Sequence, residues 1–528
     1  MDFNKLVLYF HTLKYLEPIQ VFYRVYYRFT KRHCSYNPAS FSKPSNSFSY
    51  SGGLKSPQVF EKKNYTFTFL NLKKSFPDNR IDWNCKDYGK LWTYNLNYFD
   101  FLNQDKLSKN EGLRLINNFI DYSPNHIDGM EPYPISLRVI NWIKFISKHN
   151  IQDPRINNFL YKDCNYLSKN IEYHLLGNHI LENAFSLLFA AYYFDKVKLY
   201  KKSKSLIVSQ LDEQILNDGA HFELSPMYHK IILHKLLDII NLNKINSHWP
   251  DKDFLLFLTS KAESMCSWLE RIKFKSGYIP MVNDATFDIA PTAESLLEYA
   301  DNLGIKTSKI DLSDSGYRKI DFSNYELIVD VGNIGPDYQP GHAHSDTFNF
   351  EIHVNQLPVI VDTGITTYEK NEVRQLERST SSHNTVMIGD YEQSEVWGGF
   401  RVGRRAKITD LNEKSNHISA KHNGYSRIGI SHKRSFDWSE KRIVINDKLS
   451  KSSKNRARAF FHFHSDVLKP KVLSDRVQLL DKNIEIIFKG HSNINLLTYN
   501  LSQGFNKTIK AHKIEINFDK DLNTQINL

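Results

Sequence analysis

The sequence predicts a helical domain followed by an antiparallel β-sandwich. From about residue 105 to 305, apolar residues recur at intervals of three and four, which is the spacing of one face of an α-helix. From about residue 325 the period changes to two, in short segments separated by turns, which is typical of antiparallel sheets. The chain has 528 residues, too many for one hydrophobic core, so more than one large domain is expected.

The first 60 residues are predicted to form an amphipathic helix and a linker. The opening stretch, MDFNKLVLYFHTLKYLEPIQVFYRVYYRF, lacks the cleavage site of a signal peptide and is too polar to cross a bilayer. Its aromatic residues, with Arg24, Arg28, Lys31 and Arg32 at one end, would suit peripheral contact with a membrane. We favour a helix packed on the main domain. Residues 34–60 are rich in Ser, Pro and Gly, which indicates a linker.

The helical domain is placed at residues 61–312. Its clearest segments are NEGLRLINNFIDY, PISLRVINWIKFISKH, HILENAFSLLFAAYYFDKVKLYKKSKSLIVSQLDEQIL, MYHKIILHKLLDIINL and DFLLFLTSKAESMCSWLERI. Short polar connections join them, so we expect the helices to pack on one another as hairpins in an array.

The β domain is placed at residues 313–528, after a boundary in the stretch IKTSKIDLSDSG. Its predicted strands are YELIVDVG, TFNFEIHV, LPVIVDTG, HNTVMIGD, HISAKH, RIVINDKL, ARAFFHFH, VQLLD, IEIIFKG and INLLTYN. So many short strands within about 200 residues favour a sandwich.

The net charge favours an anionic partner. The formal charge is +11, from 69 Lys and Arg against 58 Asp and Glu, which suits an acidic polysaccharide, nucleic acid or a membrane surface. The sequence has no long basic run, zinc-finger spacing or RNA-binding signature, so we expect no nucleic-acid partner. The four cysteines form no CxxC pair, which is typical of a reducing compartment. A cytoplasmic protein, potentially peripheral to the membrane, is the expectation.

Two stretches of the helical domain place polar groups at the start of helices. In HLLGNHILENAF, Asn178 is predicted as an N-cap, and His179 and Glu182 then share one helix face. In NDGAHFELSPMYHKIILHKL, Ser225 is a natural N-cap and Tyr228 falls in the first turn, where the helix dipole favours a tyrosinate or a bound carboxylate. The alternative is an ordinary capped helix in each case, with a satisfied buried histidine in the first.

Two stretches of the β domain carry histidine and carboxylate residues. In GHAHSDTFNF, His342, His344 and Asp346 occupy alternate positions, so an extended backbone would point all three the same way. Asp362 ends an apolar run and His383 begins a strand, and imidazole and carboxylate groups are ligands of Zn²⁺. Spacing alone is weak support for a metal site here, because no compact HExxH motif is present.

Taken together, these motifs resemble the heparinase II/III-like polysaccharide lyases. GNHILEN, DGAHFELSPMYH, GHAHSD followed by VIVDTG and a Tyr, and RSTSSHNTVMIGDYEQSEVWGGFR occur in the family's order, as does EPYPISLRVINW. The resemblance runs from about residue 90 to 465. It implies an incomplete (α/α) toroid followed by an antiparallel β-sandwich, and cleavage of uronate-containing polysaccharides by β-elimination.

The resemblance also implies roles for individual residues. Asn178 and His179 would hold the substrate carboxylate. Tyr228 would be the acid and also a candidate base, and His342 the second base or a charge stabiliser. The implied substrate-groove or supporting residues are Arg138, Glu182 and Arg378, and the implied zinc ligands are His344, Asp362 and His383. The zinc would be structural, fixing the wall that presents His342.

Two other functions stay open at this stage. The N-terminal 60 residues resemble family members associated with bacterial surface-polysaccharide production, so the expected substrate is the cell's own capsule or exopolysaccharide. One alternative is a catalytically inactive glycan-binding or assembly factor, which predicts binding without product. The other is a zinc-dependent glycan hydrolase, which predicts products without a new double bond.

Overall fold

The computed structural model describes residues 3–30, 43–45, 47–122, 125–246, 249–454 and 456–528. Lys31, Arg32 and the first part of the predicted linker, residues 34–42, lie outside the described residues. The chain opens with two helices, α1 (Phe3–Leu13) and α2 (Pro18–Phe29). A small antiparallel sheet follows, formed by β1 (Phe60–Glu61), β2 (Thr66–Phe69) and β3 (Leu72–Ser75). This sheet was not predicted from the sequence.

A series of helices occupies the stretch that the apolar spacing predicted to be helical. These are α3 (Lys90–Tyr98), α4 (Lys109–Tyr122), α5 (Pro132–Lys148), α6 (Pro154–Lys169), α7 (Asn178–Phe194), α8 (Val197–Gln214), α9 (Pro226–Ile245), α10 (Lys252–Ile272) and α11 (Ala293–Asn302). Every residue of α7 except His179 is buried. A helix that is apolar on all sides belongs in the interior, so α7 lies at the centre of the helical region.

The remainder of the chain is antiparallel β structure with one short helix, α12 (Glu372–Glu377). A four-stranded sheet contains β4 (Tyr317–Asp321), β5 (Tyr325–Asp330), β6 (Phe350–Val354) and β7 (Leu357–Ile360). A two-stranded hairpin contains β9 (Val396–Trp397) and β10 (Arg401–Val402). A ten-stranded sheet contains β8 (Val386–Ile388), β11 (Ile408–Lys414), β12 (His417–His422), β13 (His432–Ser439), β14 (Arg442–Leu449), β15 (Ala457–His462), β16 (Lys471–Val472), β17 (Arg476–Leu479), β18 (Ile484–Ser502) and β19 (Thr508–Asn527).

A second hydrophobic core lies between the four-stranded and ten-stranded sheets. Phe350 of β6 packs its ring against Phe436 of β13 and Phe461 of β15, at centroid distances of 5.7 and 5.6 Å. The alternation of apolar residues along these strands places one face of each in this core. The prediction of a helical region followed by an antiparallel β region is therefore confirmed.

Residues 341–346 form a turn, so the extended backbone that would point His342, His344 and Asp346 the same way is not present; the amide of Ala343 donates to the carbonyl of Pro340. One detail of the predicted strands is wrong. The two predicted strands IEIIFKG and INLLTYN are one strand, β18, which pairs with β19 through register shifts near His491. None of the described helices is both long and apolar enough to cross a membrane.

Candidate active site

Side chains from the helical and β regions meet in one cluster. The rings of Tyr228 and His342 are stacked, with centroids 3.8 Å apart and an interplanar angle of 28°. Tyr228 comes from the first turn of α9, and His342 from the turn before β6. Two buried carboxylates, Glu223 and Asp284, contact this histidine. The cluster therefore joins residues that are more than a hundred positions apart in sequence.

Asn178 is held by a buried carboxylate at the start of α7. The helix is capped by Gly177, and Asn178 is its first residue, so the prediction that Asn178 is the N-cap is wrong by one position. The backbone amide of Asn178 donates to Glu223 Oε1 at 3.0 Å, and its Nδ2 donates to both Glu223 oxygens at 3.0 and 2.9 Å. These three bonds fix the orientation of the Asn178 side chain.

His179 is the one residue of α7 that reaches the surface, and 28% of its side chain is exposed. Its Nδ1 lies 3.3 Å from Glu172 Oε2. Burial lowers the pKa of His179, but Glu172 and then Glu223 outweigh burial, so the pKa stands above its ordinary value. A partly exposed imidazole that favours its cationic form suits the binding of an anionic group.

Tyr228 follows the predicted cap of α9. Ser225 is the N-cap and its Oγ accepts from the Tyr228 amide at 3.4 Å, while Pro226 is the first helical residue. The phenolic oxygen lies 3.2 Å from that of Tyr368. Burial raises the pKa of Tyr228 well above its usual range, and the hydrogen bond from Tyr368 offsets only part of this. The helix dipole alone would favour a deprotonated Tyr228. The raised pKa disfavours that form, so Tyr228 carries its phenolic proton.

His342 is oriented by Asp284. Its Nδ1 lies 2.8 Å from Asp284 Oδ2, and its Nε2 lies 3.5 Å from Glu223 Oε2. Arg374 of α12 donates two hydrogen bonds to the same aspartate, at 2.5 and 2.7 Å. Burial opposes the charge on Asp284, but Arg374 and the two histidine hydrogen bonds hold its pKa well below the usual range. Asp284 is thus a fixed anion behind His342.

His344 contacts the same aspartate. Its Nε2 lies 2.9 Å from Asp284 Oδ1, so His342 and His344 bind the two oxygens of one carboxylate. Arg378 donates to the carbonyl of Ala343, between the two histidines, at 2.8 and 3.2 Å. Arg378 is fully buried, so it supports this turn and does not line a groove.

Glu182 lies one turn after His179 and is fully buried. Neither of its carboxylate oxygens has a hydrogen-bond partner among the described residues. Burial raises the pKa of Glu182 to about 7, although Lys235 counteracts burial. The carboxyl group has no exposed surface, so the position of Glu182 suits a supporting role.

Arg138 lies in the interior, a position that suits a supporting role. The guanidinium group is fully buried and donates to Asp163 Oδ2 at 3.0 and 2.9 Å. It also donates to the carbonyl of Gly129 and packs over the ring of Phe119. These contacts join α5 to α6, so Arg138 stabilises the helical region.

The three expected zinc ligands lie near one another in the β region. His383 Nδ1 lies 2.7 Å from Asp362 Oδ2, and the rings of His344 and His383 have centroids 5.3 Å apart. His344 Nδ1 and His383 Nε2 are buried and have no hydrogen-bond partner among the described residues. The donor types suit zinc. However, no three His, Cys, Asp or Glu side chains converge as a ligand group within the part of the chain described.

Four residues of the cluster were not assigned a role from the sequence: Glu223, Asp284, Tyr368 and Arg374. Glu223 falls inside a quoted motif, five residues before Tyr228, and Tyr368 follows VIVDTG. Asp284 lies in a loop between α10 and α11 that has no periodic pattern. Its buried contacts with two histidines could not be read from the sequence, because they form only when the two regions pack together.

A phenol stacked on an imidazole, with two buried carboxylates in contact with that imidazole, is an arrangement that can donate and accept protons. The chain belongs to the heparinase II/III-like family. Residues 134–302 match the part of the family described as "Heparinase II/III N-terminus", and residues 305–528 match "Heparinase II/III-like, C-terminal".

The chain is similar to named lyases in sequence and in fold. A heparin-sulfate lyase of Bacteroides stercoris is 26% identical over 249 residues, which is 41% of this chain and 36% of that relative. The chain thus spans well under half of the relative's length. The crystal structure of a heparinase III superposes with a TM-score of 0.67 and 15% identity, over 96% of this chain and 91% of that one. A chondroitinase AC lyase structure gives a TM-score of 0.50 and 11% identity, over 82% and 75%.

Proposed function

We propose that the chain is a polysaccharide lyase that cleaves a uronate-containing acidic polysaccharide by β-elimination. The observation that carries this proposal is the stacking of the Tyr228 ring on the His342 ring, which brings a phenol and an imidazole into contact. Family membership and the fold shared with a heparinase III support it. The net charge of +11 favours an acidic polymer as the substrate.

The reaction needs three groups. The proton at C5 is weakly acidic, so the negative charge that develops on the uronate carboxylate must be stabilised by fixed donors. A base must then accept the C5 proton, and an acid must protonate the C4 oxygen as its bond to C4 breaks. The electron pair of the C5–H bond becomes the C4–C5 double bond, and no co-reactant is required.

We assign the stabilising role to His179 and Asn178. His179 is partly exposed and its pKa is raised, so it would present a positive charge to the carboxylate. Asn178 lies beside it, and its Nδ2 donates to Glu223, so Asn178 would exchange one of these bonds for a bond to the substrate carboxylate. The positive charge on His179 is a fixed group of the kind that stabilises charge where it develops.

We assign proton transfer to His342 and Tyr228. His342 Nδ1 is occupied by Asp284, which leaves Nε2 as the atom that would accept the C5 proton. Tyr228 is a phenol because burial raises its pKa, so its hydroxyl would donate to the departing C4 oxygen. Each such transfer contributes roughly 10²- to 10⁴-fold to the rate.

The test is the absorbance of the new C4–C5 double bond during incubation with a panel of uronate polymers, including capsule from the source cell. Tyr228→Phe and His342→Ala should each abolish the rise. Tyr425→Phe is the matched control, since Tyr425 is a buried phenol that donates to the carbonyl of Val386 in the ten-stranded sheet. If the absorbance rises with none of the polymers while the chain still binds glycan, the lyase proposal is overturned in favour of a glycan-binding assembly factor. Cleavage without a double bond would favour a zinc hydrolase.

We further propose a more specific substrate, which is the capsule or exopolysaccharide of the cell itself.

We also propose one structural zinc ion held by His344, Asp362 and His383. The two unpartnered imidazole nitrogens and the Asp362–His383 pair support this set. When bound, zinc would cross-link the turn that carries His342 to the segments that carry Asp362 and His383. No proton transfer depends on it.

The domain division is a further proposal. We propose an N-terminal segment at residues 1–60, an incomplete (α/α) toroid at 61–312 and a β-sandwich at 313–528. The end of α11 at Asn302 and the start of β4 at Tyr317 support the second boundary. The packing of Phe350 between two sheets supports the sandwich.

A further inference from the structure

The two N-terminal helices expose an apolar stripe. On α1 the exposed residues are Leu6, Phe10 and Leu13, and on α2 they are Ile19, Val21, Phe22, Val25, Tyr26 and Phe29. Phe10 is 66% exposed, Phe22 61% and Phe29 81%. Their intervals of three and four place most of them along one face of each helix. Single exposed apolar residues are ordinary, but a continuous stripe of large ones marks an interaction surface.

The opposite side of α2 is attached to the body of the protein through polar groups. Gln20, the buried residue of this helix, donates to the carbonyls of Leu175 and Tyr338 at 3.0 and 3.3 Å. Tyr27 donates to the carbonyl of Ile171 at 2.7 Å. The helix therefore packs on the protein through Gln20 and two of its tyrosines and leaves its two phenylalanines exposed.

The helix α1 is attached to the β9–β10 hairpin. Thr12 Oγ1 donates to the carbonyl of Val402 at 3.2 Å and accepts from Trp397 Nε1 at 3.1 Å. The rings of Tyr9 and Trp397 pack edge to face at 4.9 Å. Both helices are thus fixed on the protein by one side, and the apolar stripe is a stable feature of its surface.

The charges beside the stripe are almost all positive. Lys5, Lys14, Arg24 and Arg28 are exposed, and Glu17 is the only acidic residue between positions 5 and 30. Arg401 of the adjacent hairpin is exposed as well. Aromatic and aliphatic residues flanked by Lys and Arg match the boundary between acyl chains and anionic headgroups. A second copy of the chain would bring like charges together, so we favour the lipid surface.

We propose that the α1–α2 surface, defined by the nine exposed apolar residues above and their basic neighbours, docks on an anionic lipid bilayer without crossing it. Gln20 connects this surface to the backbone just before Asn178 and His342, through Leu175 and Tyr338. Docking would therefore hold the candidate active site close to the bilayer. The docking itself is independent of the proposed lyase activity, and the two are tested separately.

The test is co-sedimentation of the full chain with vesicles of phosphatidylcholine, with and without phosphatidylglycerol. We expect binding to the anionic vesicles, and weaker binding as salt is raised. The variant Phe10→Ser, Phe22→Ser, Phe29→Ser should lower the partition coefficient by roughly tenfold or more, because each ring loses its apolar contact. Lys14→Gln with Arg28→Gln should lower it roughly fivefold per residue on anionic vesicles only.

The matched control is Leu256→Ser with Leu468→Ser. These residues are 68% and 70% exposed but lie outside α1 and α2, so the control should bind vesicles as the unmodified chain does. The proposal is overturned if the unmodified chain stays in solution with anionic vesicles, or if the triple serine variant binds equally. It is also overturned if sedimentation velocity shows a dimer that the triple variant dissociates, since the stripe would then be a contact between copies.

Discussion

His342 Nδ1 lies 2.8 Å from Asp284 Oδ2. The other oxygen of Asp284 lies 2.9 Å from His344 Nε2, and Arg374 donates to both. One buried carboxylate therefore fixes two histidines of the β region and an arginine of α12. Because Asp284 lies in a loop of the helical region, these contacts also fix the helical region against the β region.

Asp284→Asn is expected to lower both stability and activity. It leaves Arg374 buried without its anion, which should cost about 3–5 kcal/mol of the free energy of unfolding. It also removes the acceptor that orients His342, so kcat should fall by roughly 10- to 100-fold at a temperature where the variant is folded. Urea unfolding and the absorbance assay measure the two effects.

Asp447→Asn is the matched control for Asp284→Asn. Asp447 is a buried carboxylate that pairs with Arg434 and His432 in the ten-stranded sheet. The control should lose similar stability and keep its kcat when folded. Equal losses of kcat in the two variants would show that Asp284 acts through general stability and does not position His342.

Tyr368→Phe tests the hydroxyl that faces Tyr228. The variant removes a 3.2 Å contact between two phenols, which is a neutral hydrogen bond. We expect kcat to fall roughly threefold to tenfold, in line with the free energy of one such bond. A loss as large as that of Tyr228→Phe would instead make Tyr368 the proton donor. Tyr425→Phe again serves as the control.

The predictable part of the fold follows from local pattern. The apolar spacing of α7 and the Ser225–Pro226 start of α9 were visible in the sequence because capping and periodicity depend on neighbouring residues. The strand β18 was divided in two because Gly490 and polar neighbours interrupt its alternation, and the register shifts occur at that place. Such bulges depend on the partner strand, which the local pattern does not contain.

Residues of the candidate site could be predicted only where they belong to a recognisable sequence motif. Tyr228 and His342 were selected from separate motifs, and the structure stacks their rings. Arg138 was selected from a motif too, yet it is buried against Asp163, since a charged residue in a helix can serve either a groove or the interior. Glu223 and Asp284 orient Asn178 and His342 through contacts between residues far apart in the chain, which a single sequence does not reveal.

Gly177→Ala is expected to disturb Asn178 without unfolding the protein. Gly177 has φ of +60°, and an added Cβ would lie 2.6 Å from Glu223 Oε1. The carboxylate would have to move, which releases the Asn178 side chain and should raise KM and lower kcat. Gly304→Ala is the matched control, because Gly304 has φ of +71° with no atom within 4 Å of the added Cβ. Both should lose stability because a side chain is strained at positive φ. Gly177→Ala should lose more, since its ψ of −146° lies near a region that essentially only glycine adopts, and only Gly177→Ala should lose activity.

Metal removal tests the proposed zinc. We expect the purified chain to contain zinc by elemental analysis, and His344→Ala and His383→Ala to lower that content. A chelator should lower Tm, while the product formed below the new Tm should still carry the double bond. His422→Ala, a buried histidine elsewhere in the β region, should leave the zinc content unchanged. Full activity loss with the fold intact would contradict a structural role.

Glu182→Gln should change how stability depends on pH. Burial raises the pKa of Glu182 from 4.5 to about 7, so the folded state binds a proton more tightly than the unfolded state does. The stabilisation from this proton is complete below pH 4.5 and is lost as pH rises through 7. The neutral amide has no such loss, so the stability of the variant relative to the unmodified chain should increase between pH 5 and pH 8, by at most about 3 kcal/mol. Urea unfolding across this range measures the difference, with Glu61→Gln, at an exposed glutamate that pairs with Lys73, as the control variant. A constant difference between Glu182→Gln and the unmodified chain would mean that Glu182 is ionised throughout, with Lys235 as its partner.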